Sequence, residues 1–248
     1  MKRNLEAQVS QIVLKQGSRK VTDLALEIGV SEVTIRKTLS LLEKKGVVRR
    51  FHGEARPFDG DEIPFRMGAW FEEKTRIARF AASLVQPGDT ILLEAGSTVA
   101  ILAELLKESR ELSVITPNLF IARLFRGSRV RVIVLGGLYQ EQSESLVGPT
   151  VKTMLADMTF SKAFIGVTGY TRETGFTLND SHRAETTQAI LSRGAKNYVL
   201  TDSSKFGASH LAPICQDLSL IHTVITDKGI SDDDKAYLES CGVTVLLA

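Results

Sequence analysis

The sequence predicts an α/β protein in two domains, a short helical unit closed by a basic hairpin and a larger unit built on a mainly parallel open sheet. Three observations predict it. Charge is uneven: residues 1–57 hold 12 Lys+Arg against 6 Asp+Glu, a balance of +6, and the remaining residues hold 19 against 23. The stretch PFDGDEIP, residues 57–64, gathers two prolines, a glycine and three acids, too many breakers for a helix or a central strand. Beyond it, short β-branched runs alternate with helix-length segments, the pattern of βαβ crossovers in a sheet covered on both faces. The expected division is a first domain over 1–57, a linker over 58–73 and a second domain over 74–248.

In the first domain Leu5, Val9, Ile12 and Val13 form one stripe of a helix. Thr22 is placed to cap a second, shorter helix carrying Leu24, Ala25 and Ile28, and Gly29 breaks it at a turn. Ser31 then caps a third helix buried through Ile35, Leu39 and Leu42, with Thr34 standing where a complete capping box has Glu or Gln. Next, GVVRRFHGEAR reads as a hairpin around a His-Gly-Glu turn.

A small alanine, a turn glycine and an apolar residue after it give the helix-turn-helix spacing, and the hairpin makes a wing. Such a pair presents the start of its second helix to the major groove of double-stranded DNA. The 100° helical step turns Val33, Arg36, Lys37, Ser40 and Lys44 outward, while Ser31, Glu32 and Thr34 sit at the helix start. Arginine can pair bidentately with guanine and lysines suit phosphates; Arg49, Arg50 and His52 would lie along the duplex in the wing. The basic balance of this domain agrees with a polyanion partner. The stretch VTDLALEIGVSEVTIRKTLSLLEKKGVVRRFHGEA resembles the N-terminal domain of the DeoR family of bacterial transcriptional regulators, whose motif runs roughly ELAxxLxVSxxTIRRDLxxLExxGxLxRxHGGA. Two departures fall at expected contact surfaces: Thr38 replaces the family's Asp, and Glu54 replaces the second Gly. A carboxylate at the wing tip would face phosphates unless it turns away, so Glu54→Gly is expected to strengthen DNA binding.

In open α/β sheets, ligands bind outside the carboxyl ends of the strands. Here those ends are small and polar: TILLE runs into Ala95-Gly96-Ser97-Thr98, VIT into Pro117-Asn118, VIVL into Gly136-Gly137, AFIGV into Thr168-Gly169, and YVLTD into Ser203-Ser204-Lys205. Gly-Ser-Thr at a strand-to-helix turn offers free N–H groups, two hydroxyls and the positive end of a helix dipole, a seat for phosphate. Lys205 would add charge from a neighbouring strand end, and Glu94, Asn118, Glu185 and Asp202 are left for a polyhydroxylated body. Helices are expected from about Glu73 to Val85, Ser97 to Lys107, near Val147 to Asp157, and from about Arg183.

From Lys74 through LEAGST, VIVLGG, SLVGP, KAFIGVTG, LTDSSKFG and VITD the chain is similar to the family's C-terminal effector domain, itself like ribose-5-phosphate isomerase and glucosamine-6-phosphate deaminase in fold. That resemblance implies that Gly96, Ser97, Thr98 and Lys205 hold the phosphate of a sugar phosphate while Gly136, Gly137 and Gly169 shape the pocket. Departures again fall at the site: Glu94 stands for the family's Asp, and Thr116-Pro117-Asn118 stands for the family's Thr-Asn, so the carboxamide is either lost to Pro117 or displaced by one residue to Asn118.

The expected function is a repressor of a carbohydrate operon, released by a sugar phosphate and acting as a homo-oligomer, a dimer or higher, because one short winged domain gives too little specificity. An isomerase or deaminase with a DNA-binding appendage is the alternative, although no acid pair or histidine has a catalytic spacing; a protein-binding role for the basic domain is a third. No cofactor is expected. Two cysteines without a CxxC and four histidines without HxxxH or HExxH spacing make a metal site unexpected. No run approaches the ~20 apolar residues that span a bilayer, and the first residues mix charge into apolar positions, so a cytoplasmic protein without membrane contact is expected.

Overall fold

A computed structural model describes residues 2–44, 47–51, 53–57 and 63–248. The chain divides into two compact units, Met1–Ala69 and Trp70–Ala248.

The first unit runs α1 (Lys2–Gln16), β1 (Arg19–Lys20), α2 (Val21–Ile28), α3 (Glu32–Lys44), β2 (Val48–Phe51), β3 (Glu54–Pro57) and α4 (Ile63–Gly68). Its core is Val9, Val13, Leu24, Ala25, Ile35, Leu39 and Leu42, with Val48 and Ala55 from the hairpin. Gly29 ends α2 with φ 74°, a left-handed conformation that costs glycine nothing, and its N–H and that of Val30 both return to the Ala25 carbonyl. Two details differ from expectation. The hairpin gains a third strand, because β1 pairs with β3. That pairing places Lys20, not Thr22, at the N-cap of α2, where the first free N–H, on Val21, goes to the Gly53 carbonyl at 3.0 Å. A backbone acceptor has replaced the side-chain cap. The helix α4 also occupies part of the stretch expected to be linker, once the chain has passed the acids of 57–62.

The second unit opens at Trp70, which takes φ 56° as the N-cap of α5 (Phe71–Ser83) and is half exposed. There follow β4 (Thr90–Leu93), α6 (Ser97–Leu106), β5 (Ser113–Thr116), α7 (Leu119–Leu124), β6 (Arg131–Val134), β7 (Leu138–Gln140), β8 (Ser145–Val147), α8 (Pro149–Ala156), β9 (Lys162–Gly166), β10 (Gly169–Thr171), β11 (Gly175–Leu178), α9 (Ser181–Leu191), β12 (Lys196–Leu200), β13 (Ala212–Cys215), β14 (Thr223–Thr226), α10 (Asp232–Ser240) and β15 (Thr244–Leu247). Seven strands form one sheet in the order β15-β14-β12-β9-β4-β5-β6, and every pairing in it is parallel. Parallel pairing demands crossovers, and the helices that supply them bury the Val/Ile/Leu runs on both faces.

From β4 the chain winds outward through β5 to β6; from β9 it winds the other way through β12 and β14 to β15. The winding reverses between β4 and β9, and the crevice at their carboxyl ends is the topological switch point. Gly166 closes β9 there: a Cβ on it would lie 2.4 Å from the Ala95 carbonyl oxygen, so only glycine lets the two strand ends meet. Two antiparallel pieces escaped the sequence reading, the β7–β8 hairpin and the small sheet β10-β11-β13. Val147, expected in a helix, ends β8; Gly148 intervenes as the N-cap, and α8 starts at Pro149, whose missing N–H costs nothing in the first turn.

Candidate functional site

In the first unit the Ser31 hydroxyl accepts the Thr34 N–H at 3.2 Å and shares a hydrogen bond with the Thr34 hydroxyl at 2.9 Å, so the cap forms without the Glu or Gln of a full box. Val33 is 62% exposed at the first turn of α3. Glu32, Arg36 and Lys37 are exposed beside it, and Ser40 is half-buried. Arg36 is held over Glu32 at 3.1 Å, one turn back, and Lys37 makes no ion pair with a described residue. In the wing, Arg50 is not a free cation: its backbone N–H and its Nε both donate to Glu43, at 2.9 and 2.7 Å. Lys44 and Arg49 occupy the end of α3 and the middle of β2; His52 lies outside the described residues.

In the second unit the switch point carries the expected Gly-Ser-Thr turn. Gly96, with φ 106°, is the N-cap of α6 and gives no side-chain cap; the first bond of the helix runs from the Ala100 N–H to the Gly96 carbonyl, leaving the amides of Ser97, Thr98 and Val99 as orphan donors. The Ser97 and Thr98 side chains are buried, and neither hydroxyl has a hydrogen-bond partner among the described residues. Amides, hydroxyls and a helix dipole in this arrangement have the chemistry to receive an anion.

Lys205 ends a 3₁₀ turn, Ser203–Lys205, that two buried acids pin from below. Asp202 accepts the Ser204 N–H at 3.2 Å and its hydroxyl as well. Asp227 accepts the Ser203 N–H at 2.7 Å, the Ser203 hydroxyl at 2.8 Å and the Gly229 N–H at 3.0 Å. Burial opposes the charge on Asp227, yet these donors together hold its carboxyl below the ordinary range. The Lys205 ammonium has no ion pair with a described residue. Its strand, β12, stands two places from β4, about 10 Å at ordinary strand spacing, which a lysine stem and a phosphate can bridge.

Asp202 also faces Lys74 of α5 across 3.9 Å, both side chains fully buried. Glu94, at the end of β4, meets Arg183 of α9 at 3.4 Å, again with both buried. Sequence reasoning missed Lys74, Gly166, Arg183 and Asp227. Lys74 alone had a signal: it shares the buried stripe of α5 with Ile77, Ala78 and Ala81, a charge in an apolar row.

Five expected residues do other work. Asn118 is fully buried: its Oδ1 accepts the Ile121 N–H as the cap of α7, and its Nδ2 donates to the Ser143 carbonyl and the Ser145 hydroxyl, so both of its side-chain donors are spent within the fold. The Gly136 N–H meets the Met154 sulfur at 3.0 Å, and a Cβ on Gly137 would lie 2.6 Å from Val151 Cγ2; both glycines let the chain pass against α8. A Cβ on Gly169 would come 2.3 Å from the Ala208 carbonyl oxygen, so that glycine seats the 206–210 loop. Glu185 is exposed on α9 and paired with Lys152 at 2.9 Å, whose ammonium lowers its pKa.

A family model described as the DeoR-like helix-turn-helix domain matches residues 6–59, and one described as the DeoR C terminal sensor domain matches residues 70–228. The chain belongs to the DeoR family. It is a DNA-binding transcriptional regulator with a winged helix-turn-helix and an α/β sensor domain. Among similar DeoR proteins, the putative aga operon transcriptional repressor of Escherichia coli O157:H7 is 31% identical, over 97% of this chain and 91% of that protein. The lactose phosphotransferase system repressor of Streptococcus mutans serotype c is 34% identical, over 92% of each. Among solved structures, ribose 5-phosphate isomerase A from Methanocaldococcus jannaschii is 20% identical with a TM-score of 0.40, covering 54% of this chain and 53% of that one. Chaetomium thermophilum eIF2B beta is 15% identical with a TM-score of 0.44, covering 75% and 47%.

The departures from the DeoR motif can now be placed. Thr38 does not face outward: it is buried, and its hydroxyl donates to the Thr34 carbonyl one turn back. Glu54 turns from the wing tip to accept the Ser18 hydroxyl at 2.9 Å and Arg56 at 3.4 Å, contacts that lower its pKa. The gain expected from Glu54→Gly therefore loses its physical basis. Glu94, in place of the DeoR Asp, carries the longer arm that reaches Arg183. No helix among the described residues is long and apolar enough to cross a membrane.

Proposed function

We propose that this DeoR regulator is a repressor of a carbohydrate operon and that a sugar phosphate bound at the carboxyl edge of the sensor sheet releases it from its operator. One observation carries the reading: at the switch point a helix N-terminus without a side-chain cap offers amides and the hydroxyls of Ser97 and Thr98 that have no hydrogen-bond partner among the described residues. Lys205, half-buried and without an ion pair among the described residues, is the cation that completes a phosphate site. The names of the similar repressors of the aga operon and the lactose phosphotransferase system support a sugar-linked signal. Release follows from linkage: an effector that prefers the arrangement unable to bind DNA draws the population toward it by its differential affinity.

The α3 start and wing, with Arg36 and Lys37 as the foremost exposed cations, read double-stranded operator DNA. A single winged unit supplies little specificity, so the regulator acts as a dimer or higher oligomer on repeated half-sites in the cytoplasm. It carries no turnover of its own. The buried acids around the edge each face a cation or N–H and O–H donors, Glu94 facing Arg183, Asp202 facing Lys74 and Ser204, and Asp227 facing Ser203 and Gly229, and none of them is paired with a histidine or a second acid in a general acid–base arrangement among the described residues.

The test is fluorescence anisotropy of the full-length protein on DNA from upstream of its own gene, against a scrambled fragment, with a panel of sugar phosphates added. Selective binding reversed by one class of compound is the expected result. Selective binding that no sugar phosphate reverses would remove the effector, and turnover of ribose 5-phosphate or glucosamine 6-phosphate would make the protein an enzyme.

A further inference from the structure

At the end of β4 two buried side chains are incompletely satisfied. Glu94 and Arg183 are 2% and 3% exposed, yet they share a single contact, Nη2 donating to Oε1 at 3.4 Å, long for a charge-assisted bond. Glu94 Oε2 and Arg183 Nε are fully buried and have no partner among the described residues. Buried charged groups with unmet hydrogen bonds are costly, and an unmet pair calls for a reason. The neighbouring buried acids are better served. Along the same edge Asp227 collects three donors, and Asp202 collects two from Ser204 while facing Lys74. Nor is Arg183 loosely placed: its N–H is held by Asp180 Oδ1 at 2.8 Å, and Asp180 is bridged in turn by Gln140 of β7.

We propose that Arg183 and Glu94 are the specificity-determining pair of the effector site, and that they read a neutral hydroxyl on the body of the ligand. This rests on the effector reading above and deepens it. The deficit consists of one N–H donor and one carboxylate acceptor. A hydroxyl fills both, accepting from Arg183 and donating to Glu94. A ligand carboxylate would satisfy Arg183 but meet Glu94 as a like charge; an ammonium would satisfy Glu94 but meet Arg183; a deoxygenated carbon would leave both unmet. Because the pair is neutral as a unit, a neutral group enters without an uncompensated charge in a buried place. The effector class is therefore a phosphorylated aldose, ketose or polyol, set apart from amino-sugar phosphates and phosphorylated sugar acids.

The test uses full-length protein on operator DNA, with half-release concentrations measured for matched sets of neutral hexose and pentose phosphates, their 2-amino analogues and their aldonic acid phosphates. Wild type is expected to respond to the neutral set. Glu94→Gln leaves Arg183 in excess and shifts the preference toward aldonic acids by about tenfold or more; Arg183→Gln shifts it toward amino sugars by a similar factor. If either single variant fails to fold, the doubly neutral Glu94→Gln/Arg183→Gln protein leaves no uncompensated charge and is expected to lose discrimination among the three sets. Neutral phosphates that release wild type while the variants keep its order of preference would overturn the pair alone. A wild type that prefers an amino or acid ligand would also overturn it. Operator binding that none of the three sets disturbs would bring down the effector reading itself, and the pair with it.

Discussion

Replacing Lys205 with Met separates the two halves of the regulator most cleanly. The backbone at this position is fixed by Asp202 and Asp227, which hold Ser203 and Ser204, so the substitution leaves the turn in place. Methionine keeps most of the aliphatic stem and its packing while deleting the ammonium. The ammonium has no ion pair with a described residue, so folding loses little, within about 0.5 kcal/mol and a degree or two of melting temperature. Effector binding loses a hydrogen bond to a charged phosphate from a half-buried position, about 2 kcal/mol, which is about 30-fold in the concentration needed for half-release. Operator affinity without effector stays at the wild-type value. The assay is anisotropy on labelled operator at fixed salt, with effector titrated into the complex, and a melting curve as the control for folding. An unchanged half-release concentration would refute the phosphate seat, and a matching loss of operator affinity would refute the division of labour.

Arg36→Ala should lower specific operator affinity by about 1–3 kcal/mol while nonspecific DNA binding falls only a few-fold, since its exposed pair with Glu32 contributes little to folding; equal losses on operator and scrambled DNA would count against base reading. Lys74→Met should destabilise the sensor domain by about 3 kcal/mol, roughly 10 °C in melting temperature, because Asp202 would keep a buried charge without its cation. Adding Asp202→Asn should recover most of that loss in the same melt, and a single variant as stable as wild type would show that the pair is idle. The carboxyl of Asp227 is depressed below its ordinary value near 3.8, so its contribution to stability is complete above that value and is lost as pH falls through the folded-state pKa. Asp227→Asn should therefore be less stable than wild type near neutrality and lose less as the pH falls below about 4, and parallel pH profiles would contradict this.

The sequence is most legible where one local rule decides. Gly29, Ser31 and the Ile35-Leu39-Leu42 stripe settle the helix-turn-helix within one short stretch, and β-branched runs such as SVIT and TVIT bounded by helices leave few alternatives to a parallel sheet. Legibility fails where a partner distant in the chain takes the decision. Asn118 after Pro117 looks free for a ligand until Ser143 and Ser145, on a hairpin that no local pattern announces, claim its carboxamide. Gly136, Gly137 and Gly169 read as pocket glycines because a close approach of backbone to backbone leaves the same mark as an approach of backbone to ligand. SLVGP is equally ambiguous, since the short apolar pair Leu146-Val147 fits a strand or the start of a helix until the proline fixes where the helix begins. Arg183 lay hidden because nothing in its neighbours along the chain says that it turns inward to Glu94, 89 residues earlier.

Trp70 has a practical consequence. It is the chain's one tryptophan, and it is half exposed at the residue where the second compact unit begins. Its left-handed backbone holds a bulky aromatic in a conformation such residues avoid, at a cost of about 1–2 kcal/mol. The regulator thus carries its own optical label at the first residue of its second unit: selective excitation of the indole reports a single site, with no engineered dye. A shift in its emission on adding a sugar phosphate, with and without operator, would show whether this residue responds to either ligand.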